Sequence, residues 1–247
     1  MPREWDAASY DSLPLPHEMW GRRTLARLDL LGDERVLDAG CGTGRDTAAL
    51  LDLLPHGRVV ALDGSGRMLE QLRVRLAGRM DRVEVVQADL GKPLPIEGQV
   101  DAVFSVAAFH WVADHATLFT NLAAVLRPGG RLVSDCGGRG NVMAVNAAIA
   151  GVLGSQPAVW EFAGVAETER RLLDAGFTDL DVRLRPDPAR LEPGDQLHEY
   201  LTTVVLGSHL DRIPASEHET FVQAVASRLT EPVVDYVRLE ISATRMS

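Results

Sequence analysis

The chain has 247 residues but only two cysteines and a single lysine, Lys92, and these scarcities exclude several classes of protein. Cys41 and Cys136 lie in separate segments with no close partner, so neither a disulfide framework nor a cysteine metal site is expected. They read as reduced thiols of a cytoplasmic protein. The seven histidines, His17, His56, His110, His115, His198, His209 and His218, form no i,i+4 pair, and no catalytic metal is expected. No run of 18 apolar residues exists to span a membrane, and Met1 to Asp11 has no signal-type apolar core, so an unexported, soluble chain is expected. A Gly-x-Ser-x-Gly elbow and a lysine-bearing phosphate loop are both missing, which removes the minimal parts of a serine hydrolase and an NTPase. Basic clusters are missing too. With a net charge of -10, a pI near 5.2 and 25 scattered basic residues, a nucleic-acid partner is not expected.

The chain does have a 46% hydrophobic content, enough for a sizeable core in one large domain with a modest insertion. Leucines at 25, 28 and 31 predict a helix from Arg22 to Leu31. Apolar strands are predicted up to Ala39 and at Arg58–Leu62, Val83–Gln87, Val100–Val106 and Arg131–Ser134. Helices are predicted between them at Asp46–Leu54, Arg67–Leu76 and Thr117–Leu126. Pro128-Gly129-Gly130 supplies the stop and turn before the fifth strand. Such alternation implies a parallel sheet covered on both faces. Beyond Cys136 the run Gly137 to Gly140 reads as a flexible edge, followed by helices at Val142–Leu153 and Glu167–Ala175 and strands at Leu180–Leu184 and Tyr236–Ala243. About 50 residues separate the last two strands, far more than an ordinary connection. They read as a helical cap, with helices at Gln196–Leu210 and Glu217–Leu229, above the sheet's carboxyl edge, where open α/β sheets bind ligands. The units are therefore taken as 1–31 (N-terminal lid and first helix), 32–185 (core), 186–232 (cap) and 233–247 (last strand).

Val36-Leu37-Asp38-Ala39-Gly40-Cys41-Gly42-Thr43-Gly44 carries the most chemistry. Glycine without a Cβ permits sharp turns and close ligand approach, so Gly40, Gly42 and Gly44 are expected to present main-chain N–H groups to a nucleotide-type ligand. The dinucleotide spacing G-x-G-x-x-G would need glycine where Arg45 stands. Asp63, 23 positions after Gly40 at a strand end, has the spacing of a carboxylate that meets ribose hydroxyls.

This D-A-G-C-G-T-G pattern resembles motif I of the class I S-adenosylmethionine-dependent methyltransferases, and the resemblance runs from about Arg22 to Asp135. It implies a doubly wound, Rossmann-like α/β fold with a seven-stranded, mostly parallel sheet and an antiparallel last strand. It implies S-adenosylmethionine as cofactor, bound by Asp38, Gly40, Cys41, Gly42, Thr43 and Gly44, and by Asp63, Gly64 and Ser65. Met68 is either against the adenine or in the core. Ala88, Asp89 and Leu90 resemble the segment that meets the adenine, and Val106 leads to where donor and acceptor meet. Phe109, His110 and Trp111 are the expected acceptor segment. His110 could orient the acceptor, deprotonate it, or serve as a polar wall residue. In the N-terminal lead-in, Tyr10 and Arg22 are cofactor candidates, and Trp5 and Trp20 are acceptor candidates. The Phe109-His110-Trp111-Val112 run with Asp114-His115, the N-terminal Trp and Tyr and the late insertion resemble the trans-aconitate methyltransferase group. The expectation is methyl transfer to a small-molecule oxygen, carboxylate or hydroxyl, by a monomer or homodimer. Nitrogen or carbon methylation, an NAD-dependent oxidoreductase and a non-catalytic S-adenosylmethionine-binding module are the alternatives.

Overall fold

A computed structural model describes residue 4 and residues 17–155 and 159–247. Seven strands form one sheet: β1 (Arg35–Ala39), β2 (Arg58–Asp63), β3 (Val83–Gln87), β4 (Val100–Val106), β5 (Leu126–Gly137), β6 (Phe177–Pro186) and, after a two-stranded ribbon β7 (Ala189–Arg190) and β8 (Val233–Val234), β9 (Val237–Arg245). The order is β3-β2-β1-β4-β5-β9-β6, and β9 runs antiparallel to both its neighbours. The strand order reverses beside β1 and β4, so the carboxyl ends of these strands open a crevice.

Helices cover both faces because the buried strands are apolar on both. On one face α1 (His17–Leu25), α2 (Arg45–Leu53), α3 (Gly66–Arg75) and α5 (Met143–Leu153) share a core with Val36, Phe104 and Val133. On the other, α4 (His115–Val125) and α6 (Val165–Asp174) pack Leu118, Leu122 and Leu172 against Leu37, Val103 and Leu132. The late insertion holds α7 (Asp195–Tyr200), a π-turn over Leu201–Val205, α8 (Gly207–Leu210) and α9 (His218–Ala226). Its Tyr200, Leu206 and Val222 join the first core.

Three local expectations are corrected. The first helix spans His17–Leu25, and Leu31 is 94% exposed: the chain turns after Leu25, so Leu28 is buried from that turn while Leu31 points to solvent. Gly137 and Gly138 are buried close-approach positions instead of a flexible edge. A Cβ on Gly137 would meet the Phe162 ring at 2.7 Å, and one on Gly138 the Leu184 side chain at 2.5 Å. β5 begins at Leu126 and bulges around Arg127 to Gly130, then resumes pairing where Arg131 meets Ala102.

Candidate active site

β1 stops at Ala39 and the backbone enters left-handed conformations at Gly40 (φ 86°), Gly42 (φ 52°) and Gly44 (φ 82°). The loop N–H groups, however, are already taken. Gly40 and Cys41 both donate to the Leu62 carbonyl at 2.7 and 3.0 Å, Gly42 donates to Asp63 Oδ2 at 2.9 Å, and Gly44 donates to the Cys41 carbonyl at 3.0 Å. This corrects the expectation that they point at a ligand: the end of β2 lies close enough to accept them. These four N–H groups therefore form no phosphate cradle, which suits a ligand without phosphates. A Cβ on Gly40 would lie 2.3 Å from Ala108 Cβ, whereas one on Gly42 meets none of the described residues within 4 Å and faces a cavity.

That cavity, about 570 Å³, lies at the carboxyl ends of β1, β2 and β4. This is within the ~300–1,000 Å³ range of ligand pockets. On one side it is lined by Gly40, Gly42, Asp63, Gly64, Ser65, Met68, Ala88, Asp89, Leu90 and Val106, ten of the residues expected from sequence to hold the cofactor. Asp63 Oδ1 accepts from Ser65 N–H and its Oδ2 from Gly42 N–H, each at 2.9 Å, while burial raises its pKa against those bonds. Ser65 caps α3 by accepting from Met68 N–H. Met68 is buried, yet it belongs to neither hydrophobic core and packs at the cavity wall. Asp89 Oδ1 accepts from Gly91 N–H at 2.9 Å. Two rim carboxylates, open space over Gly42 and a buried thioether wall fit the adenosyl and methionyl parts of S-adenosylmethionine.

Other expected residues stand behind the wall. Asp38 is buried and accepts from Thr47 Oγ1 at 2.6 Å, the Cys41 thiol is buried, and the Thr43 carbonyl accepts from Arg75 Nε. Arg22 is exposed and paired with Glu18 at 2.6 Å, away from the cavity, because its side of α1 faces solvent. Phe109 is fully buried in the core of the opposite sheet face, edge-on to Phe119, so it cannot touch an acceptor. Trp5 and Tyr10 lie outside the described residues.

Burial, with Asp46 and Asp63 adding repulsion, pushes Asp38 up to about 8, and burial pushes Asp46 up to about 6. A carboxyl whose folded pKa exceeds its unfolded value stabilises the fold while protonated. That contribution is full below about pH 4, then is lost as pH rises through 6 for Asp46 and 8 for Asp38. The melting temperature of cofactor-free protein is therefore expected to fall between pH 6 and 8, and Asp38→Asn to flatten that slope. An equal slope in the variant would show that Asp38 ionises normally.

The other side of the cavity carries Trp20, His110, Trp111 and several residues that sequence reading missed: Asn141, Trp160, Phe162, Tyr236 and Arg238. His110 is buried, and its Nδ1 accepts from Gly137 N–H at 3.2 Å. Burial first, then the charge of Arg238, hold its pKa well below the ordinary value. The neutral ring therefore carries its proton on Nε2 and acts as a donor. The Gly137 bond and the lowered proton affinity favour the orienting role over the deprotonating one. Arg238 is 1% exposed: its Nε donates to Asp135 Oδ1 at 2.6 Å, and its guanidinium lies 3.7 Å from the Trp20 ring centroid. Tyr236 OH and Tyr200 OH, 2.9 Å apart, tie the last strand to the insertion. Ala107 (φ 57°) and Val142 (φ 47°), non-glycine residues with left-handed backbones, also line the cavity, so strain is concentrated at the site.

Residues 36–130 match the family model described as "Methyltransferase domain". A trans-aconitate 2-methyltransferase of Acidovorax sp. (strain JS42) is 31% identical over 242 residues, covering 92% of this chain and 90% of that protein. One from Azoarcus sp. (strain BH72) is 40% identical over 128 residues, 52% of this chain and 49% of that protein. Among solved structures, the YcgJ protein from Bacillus subtilis superposes with a TM-score of 0.67 at 16% identity, covering 94% of this chain and all of that one (100%). Haemonchus contortus phosphoethanolamine N-methyltransferase 2, in complex with phosphomonomethylethanolamine and S-adenosylhomocysteine, gives 0.64 at 18% identity, covering 92% of this chain and 52% of that one. The structural likenesses establish the fold, and the full-length relative establishes the family. The chain belongs to the S-adenosylmethionine-dependent methyltransferases, in the family that includes the trans-aconitate 2-methyltransferases.

Proposed function

We propose that the chain transfers a methyl group from S-adenosylmethionine to a carboxylate oxygen of a small organic acid. The observation that carries this reading is Arg238, a buried guanidinium in the cavity wall, flanked by a histidine without a base's proton affinity. A carboxylate is nucleophilic as it stands, whereas a hydroxyl needs a base to take its proton. Burial and Arg238 push the other histidine of the wall, His17, down to about 3.

The cofactor supplies an electrophilic methyl on a sulfonium. Asp63 would accept from the ribose hydroxyls, Asp89 from the adenine amino group, and Met68 would lie against the base, the placement that the family resemblance implies. His110 Nε2–H and Arg238 would hold one acceptor oxygen and leave the other free to attack along the S–C axis. Alignment of this kind supplies about 7–11 kcal/mol of a barrier. Residues 186–232 act as the cap: Val204 and Val205 sit in the cavity wall, and excluding water there strengthens the hydrogen bonds around the acceptor.

Incubation with methyl-labelled cofactor and a panel of acids, phenols and amines tests this. Label is expected in an alkali-labile methyl ester, with a rate that shows no histidine step between about pH 6 and 8. Alkali-stable label on phenols or amines alone would overturn the carboxylate reading.

A further inference from the structure

We propose that the acceptor carries one carboxylate on an apolar, planar body, unlike the three carboxylates of trans-aconitate; this rests on the carboxylate reading above. Among the described residues that line the cavity, Arg238 is the single cationic side chain. Its Nε donates to Asp135 Oδ1 at 2.6 Å and its Nη2 to the Asp135 carbonyl at 3.3 Å, while Nη1 makes no hydrogen bond among the described residues. One guanidinium edge is therefore available, enough for one carboxylate.

A second or third carboxylate finds no counter-charge there. The two wall histidines stay neutral, since His17 is pushed down to about 3 and His110 well below its usual value. The remaining ionisable wall groups among the described residues, Asp63, Asp89, Asp114 and the phenol of Tyr236, supply no positive charge. A buried, unpaired carboxylate is strongly disfavoured. Apart from Asn141 and the Tyr236 hydroxyl, which is paired with that of Tyr200, the acceptor side is largely apolar and flat. Trp160 stacks on Phe162 with centroids 5.4 Å apart and planes 18° from parallel, Trp111 meets Trp160 at 5.9 Å, and Val204 and Val205 close the wall from the insertion. Such surfaces favour an aromatic or conjugated skeleton.

In the reaction a carboxylate oxygen donates a lone pair to form the O–CH3 bond as the C–S bond breaks. That bonding pair returns to sulfur as a thioether, and anion plus cation give two neutral products with no proton released. The two opposite charges are thus neutralised within the pocket, with its net charge unchanged by the transfer.

The test uses the unmodified chain, methyl-labelled S-adenosylmethionine, trans-aconitate, trans-cinnamate and indole-3-acetate, with a simple phenol and an aryl amine as further arms. At least one aryl monoacid is expected to exceed trans-aconitate at least tenfold in kcat/KM, with the label as methyl ester. Equal or faster transfer to trans-aconitate overturns this inference and leaves the carboxylate reading standing. Failure of all three acids, whatever the phenol and amine arms give, overturns the carboxylate reading and the inference with it.

Discussion

Arg238→Met is expected to destabilise the fold by about 3–5 kcal/mol, because it strips a buried carboxylate of its closest cation. Asp135 is 1% exposed, and its Oδ2 has only Arg185 Nη2 at 3.7 Å, beyond hydrogen-bond reach. Even with Arg238 beside it, burial already raises the pKa of Asp135 above that of an ordinary carboxyl. The double variant Asp135→Asn/Arg238→Met removes the orphaned charge and is expected to recover most of the loss, since a buried pair is weak net stabilisation. Acceptor binding should not recover with it. KM for the acceptor is expected to stay raised at least tenfold in both variants, while affinity for S-adenosylhomocysteine, proposed to lie at the β1–β3 end of the cavity, is expected to stay near that of the parent. Chemical denaturation, acceptor kinetics and calorimetry separate these outcomes. If the double variant regained the parental KM, Arg238 would be a structural partner of Asp135 and nothing more.

The same pair explains what was and was not legible in the sequence. β1, β2 and β4 are apolar runs buried on both faces, a pattern that parallel strands write directly, so the strand at Val100–Val106 is found where expected. Val83–Gln87, at the sheet edge and only half-buried, is found as well through its β-branched residues. The positions of Asp63 and Asp89 in the cavity wall were legible too, because they follow from places at or just past strand ends. The segment Val237-Arg238-Leu239-Glu240-Ile241 alternates as a half-exposed strand would, which assigns Arg238 and Glu240 to solvent. In the fold β9 lies between β5 and β6, and both residues are buried: Arg238 against Asp135, and Glu240 accepting from Arg183 and Arg185 at 2.8 and 2.7 Å. Nothing local marks this, because the partners lie about 55 and 103 positions away. Trp160 and Phe162 were missed for the same reason: they reach the cavity when Glu161 N–H bonds the His110 carbonyl at 3.0 Å. The side of the cavity around Arg238 is therefore assembled from distant segments, whereas the opposite side comes from residues 40 to 90 together with Val106.

Two single-methyl changes in the glycine loop are expected to differ in kind. In Gly40→Ala the added carbon would lie 2.3 Å from Ala108 Cβ at a φ of 86°, so both overpacking and a left-handed residue are imposed. Together these cost about 2–5 kcal/mol. Ala108 immediately precedes the short 3-10 turn of Phe109 to Trp111, so any relief of the clash displaces His110 as well. Loss of fold stability and loss of activity should therefore appear together. Gly42→Ala has φ 52°, inside the region other residues tolerate, and the new methyl meets no atom of the described residues within 4 Å. Its fold should survive at a cost of about 1–2 kcal/mol. If the cofactor crosses the loop as proposed, the methyl projects into its path, and affinity for S-adenosylhomocysteine should drop at least tenfold, about 1.4 kcal/mol or more. Thermal unfolding and calorimetry on the two variants read the contrast. Parental cofactor affinity in Gly42→Ala would mean that the ligand does not cross the loop, and the spare space over Gly42 would then need another occupant.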